Sequence, residues 1–211
     1  MEVVDLTLPL FSGCPSFPGQ PQVTVFPWHD ISSHGHRTHV CFMADHTGTH
    51  VDLPAHFLLE GKTVEAMNLE RFIGRALTFD VSSLTGRGVI RLSEFQTFLR
   101  EEEMEGAIIL LHTGMDVLFG KGEYFEKEVG ISEEVARFLV EKKIKGVGID
   151  APSIDPYPFE VHRILLAHEI LIFESLTNLK ALVERTATFF GVPLKLTGCS
   201  GSPIRAFALR E

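Results

Sequence analysis

His46-Thr47-Gly48-Thr49-His50-Val51-Asp52-Leu53-Pro54-Ala55-His56 places three imidazoles and a carboxylate, at positions 46, 50, 52 and 56, within eleven residues. A helix would set 46 and 50 one turn apart. Gly48 and Pro54 interrupt helix propagation, however, and Thr47, Thr49 and Val51 are β-branched. The stretch therefore reads as extended, with 46, 50, 52 and 56 on one side and Val51, Leu53 and Ala55 on the other. Gly48 is expected to leave room beneath a bound ion. Imidazole suits Zn, Mn, Fe or Ni, and a carboxylate can bridge two ions, so the stretch predicts a mono- or dinuclear hydrolytic centre. Single histidines are mostly ordinary polar residues, and this chain has ten in 211 positions. Three with an aspartate at common parity form the pattern of a metal site.

The rest of the composition narrows the function. A chain of 211 residues, 45% hydrophobic and 22% charged, is long enough to bury one good core and short for two, so one domain over 1–211 is expected. Its net charge of -9, with no basic run longer than Lys142-Lys143, argues against nucleic acid and for a small-molecule substrate. Cys14, Cys41 and Cys199 are odd in number and lack C-x-x-C spacing, which suits a reducing compartment. No basic and apolar leader pattern and no membrane-length apolar run occur, so a cytoplasmic location is expected.

Residues 2–8 alternate as a strand, and the Gly/Pro-rich stretch that follows is a loop able to cover a pocket. Residues 22–26 and 38–43 are β-rich, and His29, His34 and His36 between them read as solvent-facing loop histidines. Strands are further predicted at 76–81, 89–92, 107–111, 146–149, 170–173, 186–190, 193–196 and 204–209, with 198–203 as a turn. Ser93 with Gln96 reads as a capping box opening a helix to about 103, whose acidic run Glu101-Glu102-Glu103 is a solvated end. Ser132 caps a helix over 133–143, and 160–168 and 178–183 are helical in pattern. Helices feeding short apolar strands indicate an α/β fold, while the β-rich first third argues against a regular doubly wound sheet. Asp150 and Asp155, in the loop after a buried strand, fit either ligand orientation or loop capping. Climbing the helix from His162 and returning along the strand to Glu174 brings those two to one edge, and a carboxylate there is costly to bury unless paired. Cys199 has no activating histidine in view and reads as an inert thiol.

H-T-G-T-H-x-D-x-P-x-H resembles the signature of the cyclase-like metal-dependent hydrolases, the family that includes bacterial kynurenine formamidase and isatin hydrolase. Ser16-Phe17-Pro18-Gly19, Gly148 through Asp155, Phe173 through Leu179, Pro193-Leu194-Lys195 and Gly201 through Arg205 are similar to family positions as well, so the likeness spans nearly the whole chain. The resemblance implies a compact α/β domain of swivelling β/β/α type with a mixed sheet, assembled as a homodimer or homotetramer. It also implies that His46, His50 and Asp52 hold one divalent ion and Asp52, His162 and Glu174 a second. Zinc is the expected metal and manganese the alternative, with one or two ions per chain. His56 would be the proton-transfer residue and Phe17 an aromatic platform for substrate. The activity implied is hydrolysis of a small-molecule amide, best an aryl formamide such as N-formylkynurenine. A cyclic amide or lactone such as isatin is the enzymatic alternative. A non-catalytic metal-binding protein is the alternative of another class, disfavoured because structural sites rarely leave a spare His56.

Overall fold

The computed structural model describes residues 1–84, 88–98 and 104–210. A nine-stranded mixed sheet runs in the order Glu2–Asp5, Phe207–Arg210, Ala187–Phe190, Ile73–Asp80, Ile108–His112, Gly146–Ile149, Leu171–Glu174, His50–Asp52 and Gly201–Pro203. The four strands from Ile73–Asp80 to Leu171–Glu174 are parallel, and the flanking ones pair antiparallel. This is the α/β class with a mixed sheet that the sequence implies.

The apolar runs are covered on both faces. Ile109, Leu111, Val147, Ile149 and Ile172 face a core closed by Val135, Leu139, Leu165 and Leu166 of the helices Glu133–Glu141 and Glu160–Ala167. Their alternates Ile108, Leu110, Leu171 and Phe173 pack with Val51, Leu53, Leu182 and Phe189 on the other side. Continuous apolar strands are what a doubly covered sheet requires. Ser132 caps its helix as predicted, its hydroxyl accepting from the Val135 N–H at 3.4 Å.

Three local expectations are corrected. The short helix Leu92–Phe95 is closed at its start by the Glu94 carboxylate, which accepts from the Arg91 N–H at 3.0 Å, so Ser93 is inside the helix rather than its cap. Residues 96–98 continue as a 3₁₀ turn, and the remainder of the predicted helix, with its acidic run, lies outside the described residues. Residues 193–196 make a single bridge, Pro193 to Ile204, because Pro193 lacks a donor and the Leu194 N–H goes to Ser202 Oγ. Gly201–Pro203, read as a turn from its composition, is instead the sheet's edge strand beside His50–Asp52, where proline costs no ladder bond.

Thr24–His29 and Thr38–Phe42 form a separate two-stranded ribbon. Among the described residues no helix is long and apolar enough to cross a membrane.

Candidate metal centre

The extended reading of 46–56 holds for its middle only. His50–Asp52 is a strand, while Gly48 turns the chain before it (φ 59°) and Pro54–His56 is a 3₁₀ turn after it. His46 and His56 thus reach the site from turns rather than by strand parity, and their rings stack 3.7 Å apart at 22°. Gly48 makes room for Leu10, not for an ion: a Cβ there would come 2.5 Å from Leu10 Cδ2. The glycine that clears space for a candidate ligand is Gly201, where a Cβ would meet the His46 ring at 2.5 Å.

Asp52 lies at the centre and is fully buried. Its Oδ1 is 2.7 Å from His46 Nδ1 and 3.2 Å from His50 Nε2, and its Oδ2 is 3.3 Å from His162 Nε2. Neighbouring strands carry the facing groups, since Asp52 pairs with Ile172 and His50 with Glu174. His162 Nε2 is 3.2 Å from Glu174 Oε1, so the helix and strand do bring these two together. Asp155 serves both roles open to it. One oxygen accepts from the Val161 N–H at 2.7 Å near the helix start, and the other meets His162 Nδ1 at 2.5 Å, aiming Nε2 inward. His50 is aimed the same way by Nδ1 donating to the Gly48 carbonyl at 2.7 Å. An imidazole whose far nitrogen is held by a carboxylate or carbonyl is preorganised as a ligand. Asp150 instead ties down the loop after Ile108–His112, accepting from the Thr113 and Gly114 N–H groups and facing His112 Nδ1 at 3.0 Å.

The donors fit a divalent cation. Asp52 Oδ2 is buried with no well-formed hydrogen bond, His162 Nε2 standing 3.3 Å from it, an arrangement that is costly unless positive charge meets it. Among the described residues two sets have ligand atoms all within 4.8 Å of one another: His46, Asp52, His56 and His50, Asp52, Glu174. Both contain Asp52. Nitrogen and carboxylate donors without thiolate suit zinc or manganese.

Burial works against charge on His50, but the Asp52 carboxylate, with Glu174 behind it, raises its pKa to about 9. His162 is also raised, its burial outweighed by hydrogen bonds to Asp155, Asp52 and Glu174. Asp52 is held well below the carboxylate range, its burial overcome by His50 and His46. His56 differs: burial takes it down to about 4, Asp52 opposing and the other imidazoles adding to the fall. Two carboxylates thus draw positive charge to the centre while His56 stays neutral at pH 7.

This cluster floors a cavity of about 470 Å³. Phe17, Phe57, Phe119, Tyr124, Phe125 and Phe159 wall it, with Gln20, Ser153 and Ser175 as polar points. Phe17 lies edge-on to Phe125 at 5.9 Å and to Phe159 at 6.5 Å, so the predicted platform is one side of an aromatic box. Phe57 and Phe159 were findable, one residue beyond His56 and one helical turn before His162. Nothing in the sequence ties Phe119, Tyr124 and Phe125 to the site. Cys199 packs against the apolar core, away from these walls.

Known proteins resemble the chain along nearly its whole length. Kynurenine formamidase of Bacillus cereus is 32% identical over 211 residues, covering 97% of this chain and 96% of that protein. Isatin hydrolase A from Ralstonia solanacearum superposes with a TM-score of 0.89 at 25% identity, covering 100% of this chain and 92% of the other. A predicted metal-dependent hydrolase from Bacillus stearothermophilus gives 0.81 at 26% identity, covering 98% and 97%. Residues 4–156, which include the whole His46–His56 stretch, match the family model described as "Putative cyclase". The chain therefore belongs to the Cyclase family.

Proposed function

We propose that the protein is a metal-dependent hydrolase of a small aryl amide, with N-formylkynurenine as the preferred substrate and kynurenine and formate as products. One observation carries the reading: the buried Asp52 carboxylate, one oxygen of it without a well-formed hydrogen bond, sits behind His46, His50, His162 and Glu174, which line an aromatic-walled cavity. The cavity lies within the size range of small-molecule pockets, and its walls suit an aryl ring. The kynurenine formamidase likeness over the full chain supports the choice of an aryl formamide.

In this reading His46, His50 and Asp52 hold one ion and Asp52, His162 and Glu174 a second, zinc first and manganese as the alternative. Such an ion lowers the pKa of water to about 7 and polarises a carbonyl. Phe17, Phe57 and Phe159 fix the aryl ring and exclude bulk water. Neutral His56 takes a proton from the attacking water and passes it to the leaving nitrogen. Ser175 presents its hydroxyl to the carbonyl oxygen. A cyclic aryl amide such as isatin would use the same walls and proton path, and the isatin hydrolase fold likeness favours it as the second reading.

The test is turnover of N-formylkynurenine, formanilide, isatin and an aryl lactone by metal-loaded and chelator-stripped protein. Release of formate that falls on stripping and returns with zinc or manganese is expected; full activity in metal-free protein would overturn the reading. Glu174→Gln should lower metal occupancy while the protein stays folded.

The proposal extends to assembly and location. Phe26, Val40 and Phe42 share one face of the isolated ribbon, with Trp28 beside them, and all four are solvent-exposed. A two-stranded ribbon with an uncovered apolar face is marginal alone, and a second copy of the chain is the cover proposed here. Sedimentation should give a homodimer or a homotetramer, and Phe42→Asp should shift it toward monomer. Three free thiols suit a cytoplasmic protein.

A further inference from the structure

Outside the cavity, the turn of the ribbon gathers three imidazoles that the centre does not use. His29 ends the strand Thr24–His29, His34 ends the helical turn Ile31–His34, and Gly35 (φ 72°) swings the chain so that His36 returns toward both. The His29 ring centroid is 4.5 Å from that of His34 and 4.8 Å from that of His36, while His34 and His36 are 6.4 Å apart. A tetrahedral ion bound by three Nε2 atoms at about 2.0–2.1 Å sets ring centroids roughly 5 Å apart, within this spread.

The far nitrogens are also engaged. His36 Nδ1 donates to the His34 carbonyl at 2.9 Å, which leaves Nε2 as a bare lone pair. His29 Nδ1 is 2.8 Å from Thr38 Oγ1. His34 Nδ1 accepts from the Asp30 N–H at 3.4 Å, with Asp30 Oδ2 3.7 Å away. The carbonyl and hydroxyl partners on Nδ1 of His36 and His29 are the supports that ligating histidines have. As the rings stand, their nitrogens do not form a set within 4.8 Å like the two at the cavity floor. Closing the set requires the exposed rings to turn about χ2, a broad torsion, and His34, whose Nδ1 contact at 3.4 Å is the longest of the three, gives way first.

We propose that His29, His34 and His36 form a second, peripheral site for a borderline divalent transition metal such as Zn²⁺ or Ni²⁺. Bound there, the ion links the end of one ribbon strand to the segment leading into the other and so stiffens the turn. Water completes the fourth position.

Protein with its cavity centre loaded with zinc, freed of excess metal, is titrated with Ni²⁺ by calorimetry. The wild type should take up one further equivalent per chain. His34→Asn/His36→Asn should lose that equivalent while keeping its zinc content, its turnover and its circular dichroism spectrum, and His29→Asn should weaken it at least tenfold. No additional equivalent in the wild type, or equal uptake by the double variant, overturns the proposal.

Discussion

The phenol of Tyr124 donates to Ser175 Oγ at 3.0 Å, and both residues line the cavity. Burial pushes the phenol pKa up, so Tyr124 remains a donor at any working pH. Having accepted that bond, Ser175 keeps its own proton to give to a carbonyl oxygen in the cavity. Its backbone is held in the left-handed region (φ 52°), next to Glu174, a conformation that costs a non-glycine residue about 1–2 kcal/mol. Strain kept beside a reactive centre is a mark of function.

The backbone strain and the hydroxyl separate by mutation. Ser175→Gly and Ser175→Ala should both lower kcat by about 10²-fold, the scale of losing one positioned donor, with metal content unchanged. Glycine relaxes the backbone and alanine does not, so Ser175→Gly should be the more stable of the two by about 1 kcal/mol in urea unfolding. Undiminished kcat in both variants would return Ser175 to a purely structural place.

Gly201→Ala drives a methyl group against the His46 ring, which Asp52 and Ser200 hold at 2.7 and 2.9 Å, so it cannot swing aside freely. Overpacking of this kind costs about 1–3 kcal/mol. Elemental analysis should show reduced metal occupancy, and adding His46→Ala should restore part of the lost stability. Additive effects in that double-mutant cycle would mean that the two residues do not press on each other.

His112 gives a pH dependence of stability. Its hydrogen bond to Asp150 raises its pKa above 6.5 against partial burial, and the charges of Asp150, Asp80 and Asp116 add to the rise. A raised folded-state pKa stabilises the native state fully below the unfolded value of 6.5 and loses that contribution as pH climbs through the folded value. His112→Gln in metal-saturated protein should therefore cost about 1–2 kcal/mol at pH 6 and less at pH 9. A cost that does not change with pH would show that His112 is neutral throughout.

The centre was legible in the sequence because its donors are dense and chemically distinctive: His46, His50, Asp52 and His56 lie in one stretch, and the helix-strand arithmetic joined His162 to Glu174. The sheet was legible where apolar runs such as Ile108–His112 are covered on both faces. Gly201–Pro203 was not, because an edge strand needs neither apolar alternation nor donors on its outer side, and its composition is that of a turn. Parity misplaced the paths of His46 and His56, since Gly48 and Pro54 bend the chain where a pure strand reading runs it straight. The aromatic wall from Phe119, Tyr124 and Phe125 reaches the cavity through tertiary packing, which leaves no local pattern.

His56 stacks on His46, and its ligand atom lies within 4.8 Å of those of His46 and Asp52, so the geometry admits it as a ligand as well as a proton carrier. The two roles give different outcomes. As a proton carrier, His56→Ala keeps its metal and loses turnover of a formanilide by about 10²- to 10⁴-fold. The loss should be smaller on an activated aryl ester, whose leaving oxygen needs little protonation, whereas His50→Ala should depress both substrates through metal loss. Metal content and the two rates, measured side by side, separate the roles. A metal-depleted His56→Ala protein would make His56 a ligand, and a fully active one would remove it from the chemistry. Burial takes the His56 pKa down to about 4, so at pH 7 its lone pair is free for either role, and the metal content of His56→Ala decides between them.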